Sequence, residues 1–542
     1  MRMYRILIVL LLLVVSCKES KTNVDLIVIN AQAYLVNASF DTAEAFAVKD
    51  GKFLEIGSSK YIQDTYESSQ IIDAKNKTIL PGLIDAHCHF YGLGLNQLQV
   101  DLVGTTSFEE VIERVKIFQK NKKANFIIGR GWDQNDWAVQ EFPNKKILDS
   151  LFPGTPVALT RVDGHAMLCN TAALKVAGIT LETKAEGGEI LVENNQLTGV
   201  LIDNPMELVE AVFPKPSKKM QITALNDAQH ICTSLGLTTV SDAGLDQQVI
   251  ELIDSLQQAN VLDMRIYAMI SNKKENLDYY LTKGKIKTPR LNVQSVKVYA
   301  DGALGSRGAA LKESYSDKHN HFGALVIGVE DYKTLAQRIA NSDYQMNTHA
   351  IGDSANRFVL QTYNKVLQDK ENRRWRVEHA QVITDNDFEY FKNDNIIPSI
   401  QPTHATSDMY WAEDRLGAQR VKGAYAYKTL LEISGKVALG TDFPVEQVNP
   451  FLTFYAAVSR KDTKGYPENG FNIRDGLTRE ETLKGMTIWA AYSNFEDEEK
   501  GSIETGKYAD FIILDRDIMT VEINQVPETK VLSTFINGKK VH

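Results

Sequence analysis

Two histidines stand one residue apart in residues 79–90, "ILPGLIDAHCHF", of a 542-residue chain that holds only ten. The stretch starts as an apolar strand closed by Pro81-Gly82 and turns polar at Asp85, His87 and His89. In an extended strand residues i and i+2 share a face, so His87 and His89 point one way and Cys88 the other. Two imidazoles on one side can reach a single metal ion, with Zn–N near ~2.0–2.1 Å. In "QSVKVYADG" (294–302), Val296, Val298 and Ala300 form one face and Ser295, Lys297 and Tyr299 the other. If the apolar face takes a covering layer, Lys297 points inward, where an ammonium is costly unless neutralised or paired. Asp301 follows it. His349 in "YQMNTHAI", His379 in "WRVEHAQ" and Asp442 in "KVALGTDFP" also close apolar runs. Each has a plainer reading: a hydrogen-bonded core histidine, a solvent-facing lysine, an aspartate in a turn or helix N-cap. Their recurrence at the ends of successive strands favours a shared metal site.

Such a site needs elements that bring distant residues together. Eight segments read as strands: 80–90, 237–244, 263–270, 294–302, 344–351, 375–381, 396–403 and 436–444. Helical stretches separate most of them, which signals a parallel α/β sheet. Eight is the number for a (β/α)8 TIM-type barrel over residues 80–500, whose active-site face lies at the carboxyl ends of its strands. The long gap after the first strand predicts an inserted α/β subdomain over about 95–220. A doubly wound open sheet would also alternate, but no Gly-rich phosphate loop follows the first strand. Residues 24–79 and 501–542 carry short alternating strands around Asp-Gly and Asn-Lys turns. They predict one small β-sandwich domain built from both termini, with two separate β-caps as the alternative.

Hydrophobic residues make up 43% and charged residues 24%, with a net charge of −9. That balance argues against nucleic acid as a partner, since phosphate binding calls for clustered Lys and Arg. The N-terminus "MRMYRILIVLLLLVVSCKES" has Arg2 and Arg5, then an apolar run too short to span a bilayer. This predicts a signal peptide over 1–16 and a tether over 17–23; an uncleaved anchor is the alternative. "VVSC" resembles the lipobox of bacterial lipoproteins, which makes Cys17 the lipidation site and the protein exported, lipid-anchored in the cell envelope. With Cys17 lipidated, Cys88, Cys169 and Cys232 remain, an odd set that implies no disulfide framework.

"PGLIDAHCHF", "SVKVYADGALGSRGAAL", "NTHAIGD", "VEHAQ", "IQPTHATSDMYWAEDRLG" and "ALGTDFPVE" together resemble the amidohydrolase superfamily. Within it they are most similar to amidohydrolase family 3, the group of N-substituted formamide deformylase. The resemblance runs from about residue 24 to the C-terminus. It implies two divalent metal ions, zinc by ligand type, with Mn, Fe, Co or Ni taken by similar donors. His87, His89 and Asp442 would hold the first, His349 and His379 the second. Lys297 would bridge both through a CO2-derived carboxylate on its amine. The implied activity is hydrolysis of a non-peptide C–N bond of a small molecule by metal-activated water, with Asp442 as proton shuttle. A deaminase, isomerase or lyase on the same scaffold, or a non-catalytic binding protein, are the alternatives.

Four residues are candidate substrate contacts: Asp163 and His165 in "RVDGHAMLCN", Arg307 after the fourth strand, and His404 after the seventh. Asp85 could orient a ligand histidine. Trp132 and Trp137 in "GRGWDQNDW" read equally as substrate contacts or as core of the insertion. The expected partner is a small molecule, with membrane contact only through the lipid anchor; homo-oligomerisation is left open.

Overall fold

Residues 21–184 and 186–542 are described by a computed structural model. The signal segment and Cys17 lie outside them. Among the described residues no helix is long and apolar enough to cross a membrane.

Eight parallel strands follow one another around a nearly closed barrel: Leu83–Cys88, Leu237–Leu245, Arg265–Ser271, Leu291–Tyr299, Gln345–Ala350, Trp375–His379, Ile396–Ile400 and Ala438–Leu439. Alternation sorts their side chains. Val296 and Val298, and Trp375 and Val377, pack outward with helix residues such as Ile253, Val359 and Leu360. Lys297, Arg376 and Glu378 therefore point into the barrel. The helix Asp353–Val366 shows the matching pattern, burying Ala355, Val359, Leu360 and Tyr363 at helical spacing. Cys88 faces outward as expected, in the apolar layer with Leu225 and Cys232.

The eighth strand returns to the first through a short seam. The Asp442 N–H donates to His87 O at 2.8 Å and the His89 N–H to Phe443 O at 2.8 Å. Asp85 lies across this seam. It accepts the Thr441 hydroxyl at 2.7 Å and the backbone N–H groups of Thr441 and His87 at 3.1 Å each. Burial pushes its carboxyl up to about 7 against those hydrogen bonds. Asp85 thus ties backbone to backbone and does not orient an imidazole.

The first strand is shorter than the sequence suggests. Thr78–Pro81 belongs to another sheet, antiparallel to Phe511–Leu514 and parallel to Gln32–Tyr34. Gly82 is the joint between that sheet and the barrel. A Cβ there would fall 2.3 Å from Thr238 Oγ1, so only glycine allows the crossing. The two chain ends then form two facing sheets around Val28, Phe46, Phe53, Ile79, Phe511 and Phe535. Phe511 and Phe535 stack with centroids 4.3 Å apart.

Between the first and second barrel strands a six-stranded sheet is inserted. Val100–Asp101, Ile127–Trp132 and Val157–Arg161 run parallel; Ala166–Cys169, Gln196–Asp203 and Gly188–Glu193 continue it antiparallel. The helix Phe108–Lys122 covers one face through Val111 and Val115. Thr171–Val176 and Pro205–Glu210 cover the other. Trp132 and Trp137 sit in the first of these cores, their indole N–H groups donating to Leu159 O and Thr105 O. Both are packing residues.

Candidate metal centre and substrate cavity

A cavity of about 1070 Å³ opens at the carboxyl ends of the barrel strands, walled on one side by the insertion. His87, His89, Lys297, His349, His379 and Asp442 all line it. Residues up to 355 apart in the chain are brought together because each lies at or near the carboxyl end of a barrel strand. His379 and Asp442 adopt left-handed backbone, φ +71° and +64°. Such conformations in non-glycine residues cost of order 1–3 kcal/mol and cluster at functional sites.

The orientation of each imidazole follows from its neighbours. His87 Nδ1 lies 2.6 Å from Glu378 Oε2. Glu378 is fully buried; despite burial, Arg376, His87 and Lys297 hold it ionised, well below the usual carboxylate range. A carboxylate only accepts, so Nδ1 carries the proton and His87 Nε2 faces the cavity as a bare acceptor. Burial and the Lys297 charge keep the His87 ring neutral, lowering it to about 4. His89 Nδ1 is 3.1 Å from the Ala243 carbonyl, to which it donates, leaving Nε2 toward the cavity. Burial likewise holds His349 and His379 well below the ordinary histidine value. His379 Nδ1 is buried with no hydrogen-bond partner among the described residues.

Asp442 completes the group. Its Oδ1 lies 3.3 Å from His89 Nε2 and 3.5 Å from His87 Nε2. Its Oδ2 lies 3.2 Å from His404 Nε2. Burial opposes its charge, but His404, His89, His87 and His379 hold it well below the ordinary aspartate value. Two imidazole nitrogens and a carboxylate oxygen thus converge with metal-compatible spacing. Imidazole with carboxylate is a transition-metal donor set. His379, His404 and Asp442 form a second cluster with metal-compatible spacing.

Lys297 is fully enclosed, its Nζ 3.2 Å from His87 Nε2. Burial lowers its amine to about 8, even with Glu378 and Asp442 nearby. Asp301 accepts three backbone N–H groups, from Ala310, Ile351 and Gly352, at 2.8–3.0 Å. It shapes the loop after Lys297.

Of the candidate substrate contacts, Asp163, His165 and His404 line the cavity and Arg307 does not. Arg307 sits in a turn with φ +63°, and its guanidinium pairs with Asp317 at 2.9 Å, facing away. The fourth strand's loop reverses before reaching it, a local bend that strand alternation does not reveal. His165 Nδ1 lies 2.7 Å from Asp203 Oδ1, and its ring centroid is 5.1 Å from that of His349. Burial opposes charge on His165, yet Asp203 raises it above its ordinary value. His404 also bonds Glu446 Oε1 through Nδ1 at 3.1 Å. Glu378, Arg376, Asp203 and Glu446 escaped the sequence reading. The first two were within reach: in "WRVEHAQ" the alternation that turns Lys297 inward turns Arg376 and Glu378 inward as well.

The amidohydrolase family model matches residues 70–542. The chain belongs to the amidohydrolase family. Protein LONG AFTER FAR-RED 3 of Arabidopsis thaliana is 32% identical, over 96% of this chain and 91% of its own length. N-substituted formamide deformylase of Arthrobacter pascens is 25% identical, over 95% of this chain and 97% of its own. Among solved structures, an uncharacterized metal-dependent hydrolase from Pyrococcus horikoshii OT3 superposes with a TM-score of 0.75 at 27% identity. That match covers 92% of this chain and 99% of the other. This amidohydrolase-family chain therefore carries the family's barrel and a polar centre at the expected strand ends.

Proposed function

We propose that this chain is a metal-dependent hydrolase of a non-peptide C–N bond, an amide or formamide, in a small molecule. The observation that carries the reading is the approach of His87 Nε2 and His89 Nε2 to Asp442 Oδ1, at 3.5 and 3.3 Å, a group with metal-compatible spacing. The formamide deformylase and metal-dependent hydrolase relatives support it. His87, His89 and Asp442 would hold one divalent ion and His349 and His379 a second, zinc on ligand grounds. Lys297, with an amine lowered to about 8, is partly unprotonated near neutral pH. It can add CO2, forming an N–C bond and releasing one proton. The resulting carbamate would bridge the two ions and replace a buried cation by an anion.

When bound, such ions supply Lewis acidity, lowering the pKa of water and polarising a carbonyl. The chain's own residues do the rest. Asp442, ionised and anchored through Oδ2 to His404, accepts the proton of the attacking water and returns it to the leaving nitrogen. His404, braced by Glu446, keeps that carboxylate aimed at the reacting atoms. Glu378 fixes the His87 tautomer, and Asp203 sets the ring of His165 at the wall where substrate enters. We also propose export through the N-terminal segment and lipid anchoring at Cys17.

Asp442→Asn tests the reading. It should keep the fold and lower turnover of formamides or N-acyl compounds by ~10²–10⁴, the span of general acid–base catalysis. Full activity in that variant rejects the proton shuttle. Failure of purified protein to take up Zn, Mn or Co rejects the metal centre.

A further inference from the structure

The charged groups lining the cavity are mostly committed to one another. Arg161 is held by Asp163 at 2.5 Å, by Asp133 and by Gln134. Asp203 is committed to His165, Glu446 to His404, and Asp301 to three backbone N–H groups. One guanidinium stands apart. Arg130, half-buried on the wall of the insertion, donates only Nη2 to the Val162 carbonyl at 3.1 Å. Its Nε has no acceptor, and no carboxylate among the described residues lies within ion-pair distance of it.

The position of Arg130 is built. It lies in the strand Ile127–Trp132, between Gly129 and Gly131. Alternation turns it away from Ile127, which faces the insertion's core. Gly164 gives the guanidinium room: a Cβ there would come 3.0 Å from Nη2 and 3.3 Å from Nη1, and its φ is +79°. Burial is the largest influence on Arg130, and the charges of Asp163, Asp442 and Glu210 reach it without a direct contact. Arginine with free donors on the wall of an active-site cavity is suited to a planar anion, which it can grip with two parallel N–H bonds.

We propose that Arg130 is a specificity residue that anchors a carboxylate of the substrate, so that the preferred amides carry a free carboxylate on one side of the scissile bond. This deepens the hydrolase reading and rests on it for the location of the reacting bond. The uncommitted acids nearby, Glu207 and Glu210, make an amine-bearing substrate the opposite prediction.

Three matched probes separate the cases: N-acetylglycine, N-acetylglycinamide and N-acetylethylenediamine, ending in a carboxylate, a neutral amide and an amine. Turnover and calorimetric binding would be measured on the metal-loaded full chain, on Arg130→Gln and on Arg130→Lys. The expected result is a preference for N-acetylglycine of about 10²-fold in kcat/KM, the scale of losing a charge-assisted bidentate contact. Arg130→Gln should abolish that preference, with partial recovery in Arg130→Lys. Equal use of all three probes, or preference for the amine, overturns the anchor while leaving the hydrolase reading intact. If none is turned over, calorimetry decides: carboxylate-selective binding lost in Arg130→Gln upholds the anchor, and unselective binding overturns it. Unchanged melting temperatures of the two variants exclude misfolding as the cause.

Discussion

His87 Nδ1 and Glu378 Oε2 lie 2.6 Å apart inside the barrel, and that contact decides which nitrogen of His87 faces the cavity. Glu378 in turn lies against Arg376, with Nε and Oε1 2.7 Å apart and both side chains fully enclosed. The tautomer of a residue at the candidate metal centre is thus set by an ion pair deeper in the barrel.

Glu378→Gln removes the charge and keeps the shape. Outer-sphere carboxylates of this kind are worth ~10–100-fold in metal affinity, and the variant should bind zinc that much more weakly in a competition titration with a chelating dye. It also leaves Arg376 buried without its counter-charge, at a cost of ~3–5 kcal/mol, read as a lower denaturant midpoint. Unaltered zinc affinity would detach Glu378 from the centre.

Lys297→Ala should lower the metal content of the purified protein from two equivalents toward one, as measured by elemental analysis. Short carboxylic acids such as acetate or propionate should restore occupancy by filling the space of the proposed carbamate. Two equivalents retained in the variant without any added acid would rule out the bridge.

A third expectation concerns acid. Glu496 is buried beneath the barrel between Lys500, 2.7 Å away, and Lys287, 2.6 Å away. Burial opposes its charge, but the two ammonium groups hold its carboxyl down to about 2, against 4.5 in a free chain. The folded form is the stronger acid, so this contribution to stability is complete above about pH 5 and drains away as pH falls through 4.5 toward 2. Urea midpoints of the unaltered protein and of Glu496→Gln should differ at pH 7 and converge near pH 2. A gap independent of pH would show that packing, not charge, is what Glu496 contributes.

Several parts of this architecture are readable from the sequence because they obey a local period. Val296 and Val298 face the helices and Lys297 the interior, as a two-residue repeat requires, and His87 and His89 share a side for the same reason. Arg376 and Glu378 obey the same rule, yet an ion pair inside a barrel looks like solvent-facing polarity until the sheet closes around it. The insertion resists reading because its sheet joins parallel and antiparallel strands whose order depends on distant pairings. Arg130 is hidden differently. The tryptophans beside it draw attention, although they are core, and the cavity-facing residue is the arginine between two glycines.

The seam between the first and last barrel strands has a consequence for how the molecule comes into being. Asp85 and Thr441 are 356 residues apart, and the strand Thr78–Pro81 waits for Phe511–Leu514 to pair with it. A growing polypeptide cannot make either contact until most of the chain has been synthesised. Contacts of such long sequence separation carry a large loop-closure cost and form slowly. Assembly of the candidate metal centre is therefore one of the last events in maturation, and a prematurely released fragment, even one ending just before Asp442, would carry the histidines without the carboxylate that completes them.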